Sequence, residues 1–166
     1  FTLPWDPRAR DGTVWPEGGG VLLRLAPDEY IVAGSGLVLE FKKQGENKMK
    51  IIENGTVTSP KGYLGAGEHV GIKKAKKDLA LIYSKVDAKA VGTFTQNIVK
   101  AAPVLWDKMI VDNYDHVRII AVNSGVANAC TGDEGLKCNE EFAQTVADNF
   151  GLEKEEVLIC STGVIG

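Results

Sequence analysis

Ser161, Thr162 and Gly163 are the residues whose types and spacing most directly point to chemistry. They lie in the run VLICSTGVIG at residues 157–166. Val157, Leu158 and Ile159 are apolar and partly β-branched, as in a buried strand, while Thr162, Gly163 and Gly166 let the chain turn abruptly where that strand ends. Such a corner aims backbone N–H groups and a threonine hydroxyl at one point, which is how a protein holds an oxygen during the instant it carries negative charge. Thr162 and Gly163 are therefore the candidate catalytic pair. On residue types alone, a Thr-Gly pair most commonly means a strand-ending turn.

A second polar corner, NACTG at residues 128–132, follows the run NSG at 123–125. Asn123, Asn128 and Thr131 are candidate substrate-binding residues. With Ser124 and Gly132 they read equally well as turn residues that cap the helix opening near Asp133. Lys61, in a glycine-containing stretch, could attract a carboxylate, but an exposed lysine is the plainer reading.

Other chemistries find little support. The three cysteines form no C-x-x-C pair, so a structural disulfide or a cysteine-built zinc site is not expected. Cys160, and with it Cys130, reads as a small buried hydrophobe. The two histidines, His69 and His116, are too few and too distant to predict a metal centre or a Ser-His-Asp arrangement, and read as partly exposed loop residues. No metal and no cofactor is expected. Residues 58–71 are glycine-rich, yet Gly65-x-Gly67 lacks the third glycine of a dinucleotide loop and no Walker motif occurs. They read as a turn-rich, site-lining loop. The lysines at 73, 74, 76 and 77 read as a solvated face.

The elements that must position the two corners come next. At 166 residues, 44% hydrophobic and 25% charged, the chain is long enough for a domain with a real core. A formal charge of −3 disfavours a dedicated nucleic-acid binder, the apolar runs are too short for a membrane span, and the cytoplasm is the expected compartment. Residues 1–20 are broken by prolines and glycines and should be irregular. Residues 21–25 and 30–41 read as two strands of a β-hairpin, with a bend or bulge at Gly34 and Gly36. After the polar run 42–48, Met49 resembles an initiator methionine, where the sequence changes character. Residues 79–86 and 90–96 predict a second hairpin. Pro103 predicts a helix start or a loop. Residues 117–122 predict a central strand, and a helix from Asp133 to Phe150, stopped by Gly151, presents Leu136, Phe142, Ala143, Val146, Ala147 and Phe150 to a sheet. Strand, corner, helix and strand in this order predict an α/β arrangement with both polar corners at one end of a sheet.

NSGVANACTGDEGL at 123–136 and VLICSTGVIG at 157–166 closely resemble the ornithine acetyltransferase family, the glutamate N-acetyltransferases of arginine biosynthesis. GTVTSPKGYLGAGEHVGIK at 55–73 and VGTFTQNIVKAAPV at 91–104 match the early part of the same family. The likeness covers residues 49–166. It implies mixed sheets packed with helices in part of a self-processing, N-terminal-nucleophile-like acyltransferase fold. It also implies a precursor that cuts itself before the threonine of an M-A-T-M-L motif, freeing that threonine as nucleophile. The Thr-Gly pair of the family's STG motif, here Thr162 and Gly163, is its oxyanion hole.

By the same resemblance the complete enzyme is multifunctional. It transfers acetyl from N-acetylornithine to glutamate, with acetyl-CoA as a possible second donor, and its partner is the C-terminal beta chain in a heterotetramer of two alpha and two beta chains. The sequence ends before the family's substrate-binding lysine and its cleavage motif, so this chain is expected to be inactive alone and to be a piece of a larger protein. The alternatives are a self-cleaving aminopeptidase-like hydrolase of similar fold and a non-catalytic fragment. Residues 1–48 fall outside the likeness. Their GGGVLLRLAPDEYIVAGSGLVLEF looks like a segment of the accessory β-domain of family 35 glycoside hydrolases, as though two unrelated pieces had been joined.

Overall fold

The computed structural model describes residues 55–166 in full and, before them, the backbone of four strands: β1 (Val21–Ala26), β2 (Glu29–Ala33), β3 (Leu39–Lys42) and β4 (Lys50–Ile51). Then follow β5 (Tyr63–Glu68), β6 (Leu79–Gly92), α1 (Ala102–Asn113), β7 (Val117–Val126), α2 (Gly132–Phe150), a 3₁₀ turn (Lys154–Glu156) and β8 (Val157–Val164).

The axis of the sheet is β7. It lies between β6, antiparallel, with Leu79 opposite Asn123, and β8, parallel, with Ile119 opposite Val157. A parallel pair needs a crossover of a dozen or more residues, and α2 with the 3₁₀ turn supplies it. The first half of β6 also carries β5, while its last residues pair with β1, beyond which β2, β3 and β4 continue in antiparallel order.

Side chains on the two faces of β7 and β8 enter two cores, as the two-residue period requires. Ile119, Ala121, Val157 and Ile159 pack with Ala143, Val146 and Ala147 of α2. Ile120 and Leu158 pack with Tyr63 and Ile110. Fully burying an aliphatic side chain of this size stabilises by about 1.5–3 kcal/mol, so these β-branched and leucine positions dominate the fold.

The outer edge of β8 is covered by α1. Trp106 Nε1 donates to the carbonyl of Val157 at 2.9 Å, and the Ile159 N–H donates to Asp107 Oδ1 at 2.8 Å. Two side chains thus satisfy backbone groups that an edge strand leaves open. Pro103 sits in the first turn of α1, where its missing N–H costs nothing. α2 ends where expected, at a left-handed Gly151.

The α/β architecture and the central strand are as the sequence predicts, with several corrections. The run 30–41 is not one strand but β2 and β3, antiparallel to each other, so the leading segment holds more than a hairpin. Residues 79–86 and 90–96 do not pair; β6 is continuous through Asp87 and Lys89, because Ala88 points into the core and a register shift between Tyr83 and Ala88 absorbs the break in pattern. The stretch 58–71 contains β5. On α2, Leu136 and Phe150 are exposed, and the buried face instead runs Gly135, Asn139, Ala143, Val146 and Ala147. Cys130 is exposed because its left-handed backbone, φ 61°, lies in a surface loop, whereas Cys160 packs beside Leu158. The irregular reading of residues 1–20, the bend at Gly34 and Gly36, and Met49 lie outside the described residues.

Candidate functional site

Along β8 burial changes within a few residues. Val157, Leu158 and Ile159 are at most 1% exposed, Cys160 and Ser161 are half-buried, and Thr162, Gly163 and Val164 are exposed. The strand does not stop before Ser161-Thr162-Gly163, as the sequence suggests; β7 and β8 both run on, pairing Asn123 with Ser161, Ser124 with Thr162 and Gly125 with Gly163. The corner is therefore built into the ladder itself.

Gly163 has φ 142° and Gly125 φ 134°. A Cβ on Gly163 would stand 2.2 Å from the Gly125 carbonyl carbon, and one on Gly125 would stand 2.5 Å from Ile72 Cγ2. Only glycine fits this approach of backbone to backbone. The Ile159 N–H points outward to Asp107, so the strand period carries the N–H groups of Ser161 and Gly163 to the same outer edge, beyond the reach of the Trp106 and Asp107 contacts.

The same period puts the Thr162 and Ser124 side chains on one face. There Lys73 Nζ donates to the hydroxyl of Ser124, the residue paired with Thr162, at 2.5 Å. Asp78, almost fully buried, fixes Lys73 in place: its carboxylate accepts the N–H groups of Val70 and Lys73 at 2.7 Å each and lies 3.2 Å from His69 Nδ1, while its carbonyl accepts the Ser124 N–H at 2.8 Å. Burial opposes the Asp78 charge, but the Lys73 and Val70 N–H groups and His69 outweigh it and hold the carboxyl down at about 2. Lys73, which in the sequence reads as part of a solvated face, thus contacts Ser124 through partners remote in sequence.

Asn123, Asn128 and Thr131 come together on the opposite face. They line a cleft of about 500 Å³ with Val126, Glu134, Asn139, Phe142 and Ser161 among others. Thr162 and Gly163 do not line it. Asn123 accepts from the Ser161 hydroxyl at 2.5 Å and donates to Val126 O at 2.8 Å; Asn128 accepts from the Thr131 hydroxyl at 2.7 Å and donates to Gly135 O at 2.9 Å. Thr131 precedes α2 as its cap residue but makes no side-chain capping bond. Asn128 itself is left-handed, φ 49°, a conformation asparagine tolerates better than most residues.

Asp107 is buried behind the corner. Desolvation pushes its carboxyl up to about 7 against the single bond from Ile159, and burial, with Asp107 nearby, pushes the Cys160 thiol to about 11. At the other end of the strands Asp87, His116 and Glu156 each bring one ligand atom within 4.8 Å of the others. These side chains have partners: Arg118 lies 3.3 Å from Asp87, and His116 Nε2 3.3 Å from Glu156. Lys61 is exposed, and among the described residues no helix is long and apolar enough to cross a membrane.

Comparison with known proteins bears on the family and the fold. The family model described as ArgJ family matches residues 65–166, and a domain of unknown function, DUF5597, matches residues 1–80, which gives no support to the glycoside hydrolase likeness. The arginine biosynthesis bifunctional protein ArgJ of Caldanaerobacter subterraneus is 48% identical over 118 residues, 71% of this chain and 29% of that protein. The ArgJ of Lactococcus lactis is 47% identical over 112 residues, 68% of this chain and 28% of that protein. The chain thus spans under a third of the length of these curated relatives. Among solved structures, ArgJ of Bacillus halodurans superposes with a TM-score of 0.67 at 38% identity, covering 69% of this chain and 60% of that one. Ornithine acetyltransferase of Mycobacterium tuberculosis, complexed with ornithine, superposes at 0.60 with 41% identity, covering 66% and 60%. The mixed sheet packed with helices is the fold of those enzymes, and the chain belongs to the ArgJ family.

Proposed function

We propose that this chain is part of a cytoplasmic acetyltransferase of arginine biosynthesis that moves acetyl from N-acetylornithine to glutamate and accepts acetyl-CoA as a second donor. Thr162 Oγ and the Gly163 N–H form its oxyanion hole. A threonine freed by self-cleavage, on polypeptide outside these residues, attacks the acetyl carbonyl carbon. The carbonyl oxygen becomes negative and rests on Thr162 and Gly163; the C–N bond then breaks, ornithine leaves with the proton, and the acyl-threonine passes its acetyl to the glutamate amine. Acetyl-CoA enters through the same acyl-threonine, with the thiol as leaving group. Lys73 adds positive charge on the Thr162 face. The nucleophile comes from a beta chain, in an assembly of two alpha and two beta chains, so this chain alone is inactive.

The observation that carries this reading is the pairing of Ser124 with Thr162 and Gly125 with Gly163 at the exposed end of a strand whose other end is sealed in the core. The printed names of the ArgJ relatives and the ornithine-bound neighbour supply the substrate class. The test is to supply this chain with a beta chain carrying the nucleophilic threonine and follow N-acetylornithine and glutamate by mass spectrometry. An acetyl-threonine intermediate and N-acetylglutamate are expected, with neither formed by the chain alone. Acetate as the only acetyl product would overturn the transferase assignment in favour of hydrolysis.

A further inference from the structure

Asp87, His116 and Glu156 lie at the end of the sheet opposite Thr162 and Gly163, brought together by strand pairing. Ala88 is opposite Val117 and Ile119 opposite Val157, so the residues just before Ala88, Val117 and Val157 collect at one strand end. In the sequence His116 reads as a loop residue too distant from other ligands to hold a metal. Folded, one of its ring nitrogens and one oxygen from each carboxylate lie within 4.8 Å of one another. His116 Nε2 and Glu156 Oε1 are 3.3 Å apart. That exceeds the roughly 2.7–2.9 Å of a charge-assisted hydrogen bond. It matches the edge of a tetrahedron about zinc, about 3.4 Å for ligands roughly 2.0–2.1 Å from the ion. Both carboxylates are also oriented from behind, as metal ligands are. Glu156 Oε2 accepts the Glu153 N–H at 2.9 Å in a capping box, leaving Oε1 toward His116. Asp87 Oδ1 accepts from Arg118 Nη1 at 3.3 Å, and Arg118 is itself held by the Ser84 carbonyl at 2.9 Å and the Tyr83 hydroxyl at 2.8 Å. Oδ2 is left for a second cation, and two carboxylates against one guanidinium keep the group net negative.

We propose that Asp87, His116 and Glu156 form a zinc site, with the His116 imidazole and one oxygen from each carboxylate as ligands and water in the fourth position. One imidazole and two carboxylates suit a borderline cation. Magnesium and calcium favour sites built wholly of oxygen, and soft ions seek thiolates. The Asp87 side chain is 63% exposed, so a change of rotamer closes the remaining distance without moving the backbone. The ion fastens three elements: β6 at its register shift, the entry to β7, and the 3₁₀ turn that leads into β8. Glu156 and Gly163 are about 23 Å apart along the strand at roughly 3.3 Å per residue. The ion therefore touches no reacting atom, and the site stands or falls apart from the acetyl-transfer reading.

The experiment titrates cobalt(II), a visible-absorbing stand-in for zinc, into the full chain and then displaces it with zinc. Saturable one-to-one binding with the intense absorption of tetrahedral cobalt is expected, lost again as zinc is added. Kd should be at least tenfold weaker in His116→Ala, Asp87→Asn and Glu156→Gln. It should be unchanged in Cys130→Ser and Cys138→Ser, whose exposed thiols are the rival ligands. The Asp87 and His116 side chains are 63% and 44% exposed, and Glu156→Gln keeps an oxygen for the Glu153 N–H, so these variants report on the metal rather than on folding. Zinc should also raise the urea midpoint of the unaltered chain, as a ligand of the folded state does, and leave that of His116→Ala where it was. No saturable binding, equal binding by His116→Ala, an octahedral cobalt spectrum, or thiolate-to-cobalt absorption that disappears in the cysteine variants would each overturn the proposal.

Discussion

Val157–Ile159 and Thr162–Val164 are two halves of one strand, paired to the same parallel neighbour, and they are built on opposite principles. The first half is β-branched and leucine-rich, packed on both faces and capped along its edge by Trp106 and Asp107. The second half, Thr162, Gly163 and Val164, is exposed, and its backbone at Gly163 adopts a conformation that side chains resist. A rigid, sealed segment holds an open one in register. The exposed residues are thus fixed in position with little side-chain burial of their own.

If the sealed half supplies the stability, Ile159→Ala should cost about 2–5 kcal/mol, the range for large-to-small changes at fully buried sites, read as a lowered urea midpoint. A loss under 0.5 kcal/mol would break the comparison at its first term. Gly163→Ala tests the junction between the halves. The added Cβ meets Gly125 backbone rather than a movable side chain, so a smaller but clear loss of roughly 1–3 kcal/mol is expected, with the exchange protection of residues near 125 and 163 falling while that of Ile119 and Ile159 persists.

Asp107 sharpens the comparison through pH. Its folded-state carboxyl titrates near 7, above the ordinary carboxylate value, so the folded chain holds that proton more tightly than the unfolded one. Its contribution to stability is fully present below about pH 4 and is lost as the pH rises through about 7, at roughly 1.4 kcal/mol per pH unit at most. Asp107→Asn keeps an acceptor for the Ile159 N–H without an ionisable group, so the part of the pH 4.5–8 stability slope due to Asp107 should disappear from urea titrations. An unchanged slope would show that the edge of β8 is not held by an ionisable contact.

Much of this was legible in the chain. Residues 117–122 and 157–159 announced themselves by apolar, β-branched runs, and α2 by its spacing and by Gly151, because burial on both faces and a left-handed stop leave local marks. Asp87 and Lys89 look like a turn, so the sequence alone suggests a hairpin where β6 runs through. Their strand conformation is fixed by Ala88 entering the core and by β1 arriving at residues 89–92, partners remote in sequence. The Thr162–Gly163 pair was visible by type and by resemblance. The Lys73 contact on the same face is not: Lys73 reaches Ser124 across 51 residues, and only the folded Asp78 turn brings it there. Asn139 leaves a trace, a polar residue four positions from Gly135 and Ala143 on a helix face that is otherwise small and apolar.

The most direct measurement compares Thr162→Ala with the unaltered chain, each supplied with the threonine-bearing beta chain, for the rate of N-acetylglutamate formation and for the urea midpoint. The account predicts a rate lower by about a hundredfold or more, the usual cost of one oxyanion donor, with stability changed by less than about 0.5 kcal/mol, as at exposed sites. An unchanged rate, or a loss of rate matched by loss of folding, would contradict it.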